Sequence, residues 1–165
     1  MIDIISVEKI QELLIEKFGG TLGVRDMGAL EAAINRPFAT FNQNELYPTP
    51  IEKAAAVLES LVCNHPFIDG NKRIGYVIAR LLLLQSGIDI EANQEEKYNL
   101  VISVSKGEFR YDQIILWPRK NRPNRPHSPA DPYPGSSSII IATLTPHRSW
   151  TLRRATSRIS MPAAK

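Results

Sequence analysis

Apolar residues recur at helical spacing through most of the first 117 positions of this chain. Most of the segments with this spacing begin at a capping residue or end at glycine or proline. The predicted helices cover residues 6–18, 26–34, 51–64, 71–84, 93–107 and 111–117. No convincing strand run interrupts them, and the polar segment 38–48 is predicted to be a loop or a short hairpin. The pattern therefore predicts an all-α fold of about six helices.

The fourth predicted helix is the most apolar of the six. Ile74, Val77 and Ile78 are followed by four consecutive leucines at positions 81–84. A helix that is apolar on every side is buried nearly all round. We therefore expect the other helices to pack around this one as the central helix of a single domain.

The character of the chain changes after Trp117. Residues 118–135 contain six prolines, and the remaining positions are rich in Ser, Thr and Arg without helical periodicity. This composition predicts a folded domain over residues 1–117 and a disordered Pro/Ser/Arg-rich tail over residues 118–165. Residues 1–118 contain 11 Lys/Arg against 16 Asp/Glu, whereas residues 119–165 contain 9 against 1. The basic pI is thus a property of the tail, and the domain is not expected to bind nucleic acid specifically.

Cysteine content and hydropathy indicate where the protein acts. The single cysteine, Cys63, excludes an intramolecular disulfide and is expected to be a buried structural thiol. The amino terminus lacks the basic start and apolar run of a signal peptide, and no stretch approaches the length of a membrane span. These features predict a cytoplasmic protein that does not associate with a membrane.

The candidate chemistry lies in nine residues, His-Pro-Phe-Ile-Asp-Gly-Asn-Lys-Arg, from His65 to Arg73. A lone histidine is more often structural than catalytic, and an isolated aspartate is more often a turn or cap residue. The combination of the two residues in one short stretch, however, favours a chemical role. His65 can accept a proton from a hydroxyl group, and the Asp69 carboxylate suits a Mg²⁺ ion that is held partly by phosphate oxygens.

The second half of this stretch is suited to a phosphorylated ligand. Gly70 and Asn71 allow close backbone approach at the start of a helix, where the helix dipole favours an anion. Lys72 and Arg73 add two cations, although a solvated surface pair is the alternative interpretation. Phe67 is expected to point inward and anchor the loop. The whole stretch indicates phosphoryl or nucleotidyl transfer.

The pattern His-x-Phe-x-Asp-Gly-Asn-x-Arg resembles the signature of the Fic/Doc (Fido) superfamily, and Lys72 resembles its death-on-curing (Doc) toxin branch. Residues 23–33, Gly-Val-Arg-Asp-Met-Gly-Ala-Leu-Glu-Ala-Ala, followed by Arg36-Pro37, also look like the amino-terminal segment of Doc-like chains. The resemblance covers about residues 1–117 and implies a helical Fido-type domain.

The resemblance implies a toxin of a toxin–antitoxin system that transfers phosphate from ATP to a protein hydroxyl. Elongation factor Tu would be the target, and arrest of translation the outcome. His65 would be the general base and Asp69 the Mg²⁺ ligand. The residues that hold the triphosphate would be Gly70, Asn71, Lys72 and Arg73.

Two other functions remain open. A Fic-type AMP transferase usually has Gly at the position of Lys72 and Arg at that of Tyr76, so this chain departs from that pattern. A catalytically inactive module that only binds an antitoxin is the second alternative. A metal hydrolase would need a second histidine within residues 1–117, which contain only His65. No Ser or Thr is followed four positions later by Glu, so the inhibitory motif of many Fic proteins is missing. Restraint by a separate antitoxin is therefore expected.

Overall fold

A computed structural model of the protein describes residues 2–121, which are mostly helical. Within this range the chain forms six α-helices: α1 (Ile4–Phe18), α2 (Met27–Asn35), α3 (Pro50–Asn64), α4 (Asn71–Gln85), α5 (Gln94–Lys106) and α6 (Tyr111–Lys120). None of these helices is long and apolar enough to cross a membrane. The predicted helical fold is thus confirmed, whereas most of the predicted tail lies outside the described residues.

The helix starts follow from local capping. Thr49 and Glu52 form a capping box at α3 with Pro50 as its first residue, and Asn93 and Glu96 form another at α5. The start of α1 differs from the prediction, because Asp3 rather than Ser6 is the cap and accepts from the Ser6 N–H at 2.7 Å. Since both residues are good caps, the earlier one adds a further turn to the helix.

A short hairpin separates α2 from α3. A 3₁₀ turn at Arg36–Phe38 leads into β1 (Thr40–Phe41), which pairs antiparallel with β2 (Asn44–Glu45). The two turn residues, Asn42 and Gln43, both have positive φ, as the tight turns of hairpins require. The segment predicted as a loop or hairpin is therefore a two-stranded hairpin.

Helices α3 and α4 together occupy the centre of the domain. As predicted, most of α4 is buried, but α3 also packs against α2, α4, α5, α6 and the 3₁₀ turn. Small residues allow the close packing of α3, where the run Ala54–Ala56 is fully buried. Gly75 of α4 lies against α3, and a Cβ atom there would come within 2.8 Å of Val62 Cγ2. The predicted single central helix is thus a central pair.

Helix α6 continues beyond its predicted end at Trp117. It extends to Lys120 with Pro118 inside it, although proline removes one hydrogen bond of a helix. Asn121 completes this end, because its N–H and its side-chain amide both donate to the Trp117 carbonyl while its own carbonyl accepts from Glu91 N–H at 2.9 Å. Tertiary contacts therefore outweigh the local effect of the proline.

The division of the chain into a domain over residues 1–117 and a tail over residues 118–165 stays a prediction.

The contact between α3 and α4 predicts opposite effects for two glycine-to-alanine changes. Gly75→Ala should destabilise the protein by about 1–3 kcal/mol, because the added methyl group meets Val62 in a packed interface. Gly28→Ala in α2 should stabilise it by up to about 1 kcal/mol, since its Cβ would meet only Asp26 Oδ1 at 3.5 Å and alanine favours the helix. Urea unfolding of both variants measures the difference. Equal stability of the two would contradict the packing described.

Candidate active site

His65 ends α3 in a left-handed backbone conformation, with φ 50° and ψ 56°. This conformation turns the chain sharply into the loop and is uncommon for a residue other than glycine. The imidazole Nδ1 lies 2.9 Å from the Cys63 carbonyl oxygen. Because a carbonyl can only accept, Nδ1 carries the proton in this pairing, and the neutral ring keeps its lone pair on Nε2. The orientation of His65 thus leaves Nε2 able to accept a proton.

The Asn71 side chain holds the loop that follows. Its Oδ1 accepts from the Phe67 N–H at 2.9 Å, and its Nδ2 donates to the Phe67 carbonyl at 2.8 Å. Phe67 itself is 1% exposed and packs in the core beneath the loop. Sequence reasoning assigned Asn71 to the ligand through its backbone and missed this use of the side chain.

A segment before α2 supports the same loop through its backbone. Arg25 N–H donates to the Pro66 carbonyl at 2.7 Å, and Ile68 N–H donates to the Gly23 carbonyl at 3.0 Å. The Arg25 guanidinium also donates to the Asn64 carbonyl at 2.9 Å, at the negative end of α3. Residues 23–26, part of the segment that resembles Doc-like chains, therefore form one side of the scaffold for the motif.

Asp69 and Arg73 are held against the end of α1. Asp69 Oδ1 accepts from the Gly70 N–H at 2.6 Å and lies 3.8 Å from the Arg73 guanidinium. Arg73 donates through both terminal nitrogens to the Gly19 carbonyl at 3.1 Å, and its side chain is only 13% exposed. The Asp69 side chain is 43% exposed. Arg73 is thus fixed in direction, while the carboxylate remains accessible.

A cleft of about 460 Å³ brings the predicted site residues together. Six of the seven line it, namely His65, Asp69, Gly70, Asn71, Lys72 and Arg73. The seventh, Phe67, is buried beneath the loop. Gly70 has φ 86° where α4 begins, and the first N–H groups of α4 precede its first intrahelical bond, from Ile74 to the Gly70 carbonyl. The cleft therefore combines a base, a carboxylate, two cations and a helix N-terminus.

Helix α5 forms the opposite wall, which sequence reasoning missed. Its contribution consists of Tyr98, Ile102, Ser105 and Lys106. The spacing of the first three is that of one helix face, but a Tyr and an Ile at such positions are indistinguishable from core residues in sequence. Cys63 Sγ lies 3.7 Å from the Val104 carbonyl, so the end of α5 packs beside the end of α3.

The residues of the cleft are better suited to a Mg²⁺ ion that binds together with a nucleotide than to a metal ion held by protein ligands alone. Among residues 2–121 there is no group of three or more His, Cys, Asp or Glu side chains placed to hold a metal. The cleft instead offers the single carboxylate of Asp69 beside the cations Lys72 and Arg73. Mg²⁺ in phosphate-transfer sites commonly takes one or two carboxylates and completes its shell with phosphate oxygens and water.

Two neighbouring groups do not belong to the cleft. Tyr76 is buried between α4 and the helices around it, away from the cleft, and burial raises the pKa of its hydroxyl. Cys63 is half-buried, and burial together with the nearby Glu59 raises the pKa of its thiol. Both side chains are therefore neutral at physiological pH. The higher pKa makes Cys63 a poor nucleophile, as expected of a structural thiol, but the predicted burial is incomplete because the side chain is half-buried.

Comparison with known proteins identifies the family. Residues 2–83 match the model of the Fic/DOC family. A protein named Toxin Doc from Mycolicibacterium smegmatis is 46% identical over 76 residues, which cover 46% of this chain and 58% of that protein. Protein kinase doc from Escherichia phage P1 is 29% identical over 100 residues, which cover 61% of this chain and 78% of that protein.

The fold and site define a helical domain built around a histidine-bearing loop at a helix N-terminus. The chain belongs to the Fic/DOC family, which confirms the resemblance seen in its motif. The matched part spans less than two thirds of the length of the mycobacterial relative. The family match ends within α4, so α5, which forms the second wall of the cleft, lies beyond it.

The two hydrogen bonds of Asn71 predict a large cost for its removal. Asn71→Ala should lower the free energy of unfolding by about 2–4 kcal/mol, because it leaves the buried N–H and carbonyl of Phe67 without this partner. Asn93→Ala, which removes only an exposed helix cap, should cost about 1 kcal/mol. Urea unfolding compares the two. A cost for Asn71→Ala no larger than that for Asn93→Ala would show that the loop is anchored in another way.

Proposed function

We propose that this protein transfers the γ-phosphate of ATP to a hydroxyl side chain of a protein target, as the toxin of a toxin–antitoxin pair. The observation that carries the proposal is the grouping of His65, Asp69, Lys72 and Arg73 in one cleft at the start of α4. A base, a metal-binding carboxylate and two cations are the groups that phosphoryl transfer needs. The name of the phage relative, Protein kinase doc, supports the same reaction class.

His65 acts as the general base. With Nδ1 bound to the Cys63 carbonyl, Nε2 accepts the proton of the attacking hydroxyl as its oxygen approaches phosphorus. The Cys63 carbonyl also stabilises the imidazolium that results, because Nδ1–H continues to donate to it. His65 has a left-handed backbone conformation, which costs free energy in a residue other than glycine, and it lines the cleft.

The phosphate chain is held by the start of α4. Its first backbone N–H groups and the side chains of Lys72 and Arg73 would hold the anion, and Asp69 would be the protein ligand of Mg²⁺. Bound MgATP supplies the transferable phosphate and a metal that neutralises its charge. Gly70 allows the ligand to approach the backbone closely, since its φ of 86° is one that side chains rarely adopt.

The position of two side chains favours phosphate transfer over AMP transfer. Lys72 lines the cleft, where its bulk and charge occupy space that a glycine would leave to the terminal phosphates. Tyr76 is buried away from the cleft and has no positive charge to offer. An AMP transferase would use a second arginine at the position of Tyr76 to hold the triphosphate. Because this chain has no such arginine, its cleft is poorly suited to AMP transfer.

Target and partner follow from the toxin function. Elongation factor Tu is the proposed target, translation arrest the outcome and the cytoplasm the site of action. A cognate antitoxin is the proposed partner, consistent with the name Toxin Doc given to the mycobacterial relative. The intact set of charged groups in the cleft speaks against an inactive module that only binds the antitoxin.

The test is intact-mass spectrometry of elongation factor Tu incubated with the protein, ATP and Mg²⁺. Wild type should add one phosphate-sized mass, and His65→Asn should reduce the rate by at least about 10²-fold through loss of the base. Asparagine is chosen because it tolerates the left-handed conformation of residue 65, so the loop is preserved. Far-ultraviolet circular dichroism of the variant serves as the folding control.

Other results of the mass measurement lead to different conclusions about the reaction and its target. An AMP-sized gain would replace the proposal by nucleotidyl transfer. Without any gain, incubation of whole lysate with γ-labelled and α-labelled ATP separates another phosphorylated target from an AMP-modified one. A protein that labels nothing with either nucleotide, or a His65→Asn variant as active as wild type, would refute the enzymatic proposal.

The contact between α1 and Asp69 predicts the effect of two adjacent glycine changes on MgATP affinity. Gly20→Ala should weaken binding at least about tenfold, because the new Cβ would lie 2.7 Å from Asp69 Oδ2 and also meet Ile15. Gly19→Ala should bind nearly as wild type, since no atom lies within 4 Å of its Cβ. Both glycines have positive φ, so backbone strain is common to the pair. Isothermal titration with MgATP measures the affinities, and equal losses would contradict the steric argument.

A further inference from the structure

Gln11 is a buried polar residue on the core-facing side of α1. It is 2% exposed, and the other buried residues of this helix, Val7 and Leu14, are apolar. Burying an amide is costly unless it is hydrogen-bonded, so its partners reveal why an amide is present. Gln11 Nε2 donates to the Gly23 carbonyl at 3.3 Å and to the Asp69 carbonyl at 3.4 Å. One amide therefore joins α1 to the motif loop and to the segment before α2 that supports it.

The contact with Asp69 acts on a particular peptide plane. The carbonyl of Asp69 and the N–H of Gly70 belong to the same planar unit. Gln11 holds its carbonyl end at 3.4 Å, and Asp69 Oδ1 holds its N–H end at 2.6 Å. Rotation of this plane would change ψ of Asp69 and φ of Gly70 together. Because Asp69 Oδ1 accepts from this N–H, the orientation of the plane also orients the Asp69 carboxylate. The same orientation sets the left-handed conformation of Gly70, at which α4 begins.

The contact with Gly23 fixes the other side of the loop. The Gly23 carbonyl accepts from Ile68 N–H at 3.0 Å as well as from Gln11. The Ile68 backbone is thus held one residue before Asp69. At 3.3 and 3.4 Å, both hydrogen bonds of Gln11 are slightly longer than usual, so each is weak by itself. Because the Gln11 amide donates both bonds, it nevertheless restrains the loop on both sides of the accessible Asp69 carboxylate.

We propose that Gln11 is a positioning residue for the Asp69–Gly70 peptide, and through it for the metal and phosphate end of the cleft. This role depends on the proposed function, in which Asp69 and Gly70 meet MgATP. Gln11 does not line the cleft, so it acts only through the loop backbone. An apolar residue of the same length would fill the same space in α1 but would leave the peptide plane held at its N–H end alone.

The test compares Gln11→Met with Gln113→Met. Methionine preserves the length and approximate volume of Gln11 while removing the amide. Gln113 is the matched control, because its side chain caps α6 by accepting from Arg110 N–H and does not line the cleft. Amide hydrogen exchange, followed by nuclear magnetic resonance, reports the Gly70 N–H without any need for activity. The half-saturating Mg²⁺ concentration for phosphate transfer is the second readout.

For Gln11→Met we expect Gly70 exchange to accelerate about tenfold while the centre of α4 exchanges as in wild type. The half-saturating Mg²⁺ concentration should rise about tenfold, with a smaller change in kcat. Gln113→Met should change neither value. If Gln11→Met does not fold, Gln11→Asn, which keeps the amide one methylene short of its partners, is measured in its place.

Two results would overturn the proposal. One is Gly70 exchange equal to wild type in a folded Gln11 variant, and the other is a uniform acceleration along α1 and α4, which indicates a merely structural role. Failure of the proposed function is a separate result. If wild type transfers no phosphate, the exchange rates still show whether Gln11 restrains the peptide, so the two failures are distinguishable.

Discussion

Two hydrogen bonds between the Asn71 side chain and the Phe67 backbone close the motif loop onto the start of α4. Asn71 begins α4, and Phe67 is buried in the core, so these bonds join the motif loop to the centre of the domain. The motif residues that line the cleft are attached to this short closed unit, whereas α5 supplies the other wall. His65 lies just before it, Asp69 projects from within it and Arg73 follows one turn later. The geometry of the motif loop therefore follows from packing within the domain.

The amino-terminal part of the chain acts as a second scaffold around that unit. The Gly23 and Asp69 carbonyls accept from Gln11, the Gly19 carbonyl accepts from Arg73, and residues 23–26 pair with the loop backbone. These contacts restrain the backbone while the Asp69 carboxylate stays accessible. Such an arrangement suits phosphoryl transfer, where positioning and charge neutralisation account for most of the rate.

Much of the fold could be predicted because its causes are local. Capping boxes at Thr49 and Asn93 and the glycine at the end of α5 mark helix boundaries that depend only on neighbouring residues. Apart from the choice between the neighbouring caps Asp3 and Ser6, the errors occurred where distant residues decide. Asn121 lets α6 continue through Pro118 by its contact with Glu91, and the burial of small residues gives α3 a central place beside α4. Neither effect leaves a periodic signal in the sequence.

The candidate site divides in the same way. The motif from His65 to Arg73 and the family resemblance could be read from the sequence, because those residues are contiguous and their chemistry is intrinsic. The structure was needed to show that His65 Nδ1 is bonded to the Cys63 carbonyl, because the orientation of the ring depends on the backbone conformation at the end of α3. It also placed α5 across the cleft and Gln11 beneath the loop. These residues lie about 30 to 60 positions from the motif, and only the packing of helices brings them to it.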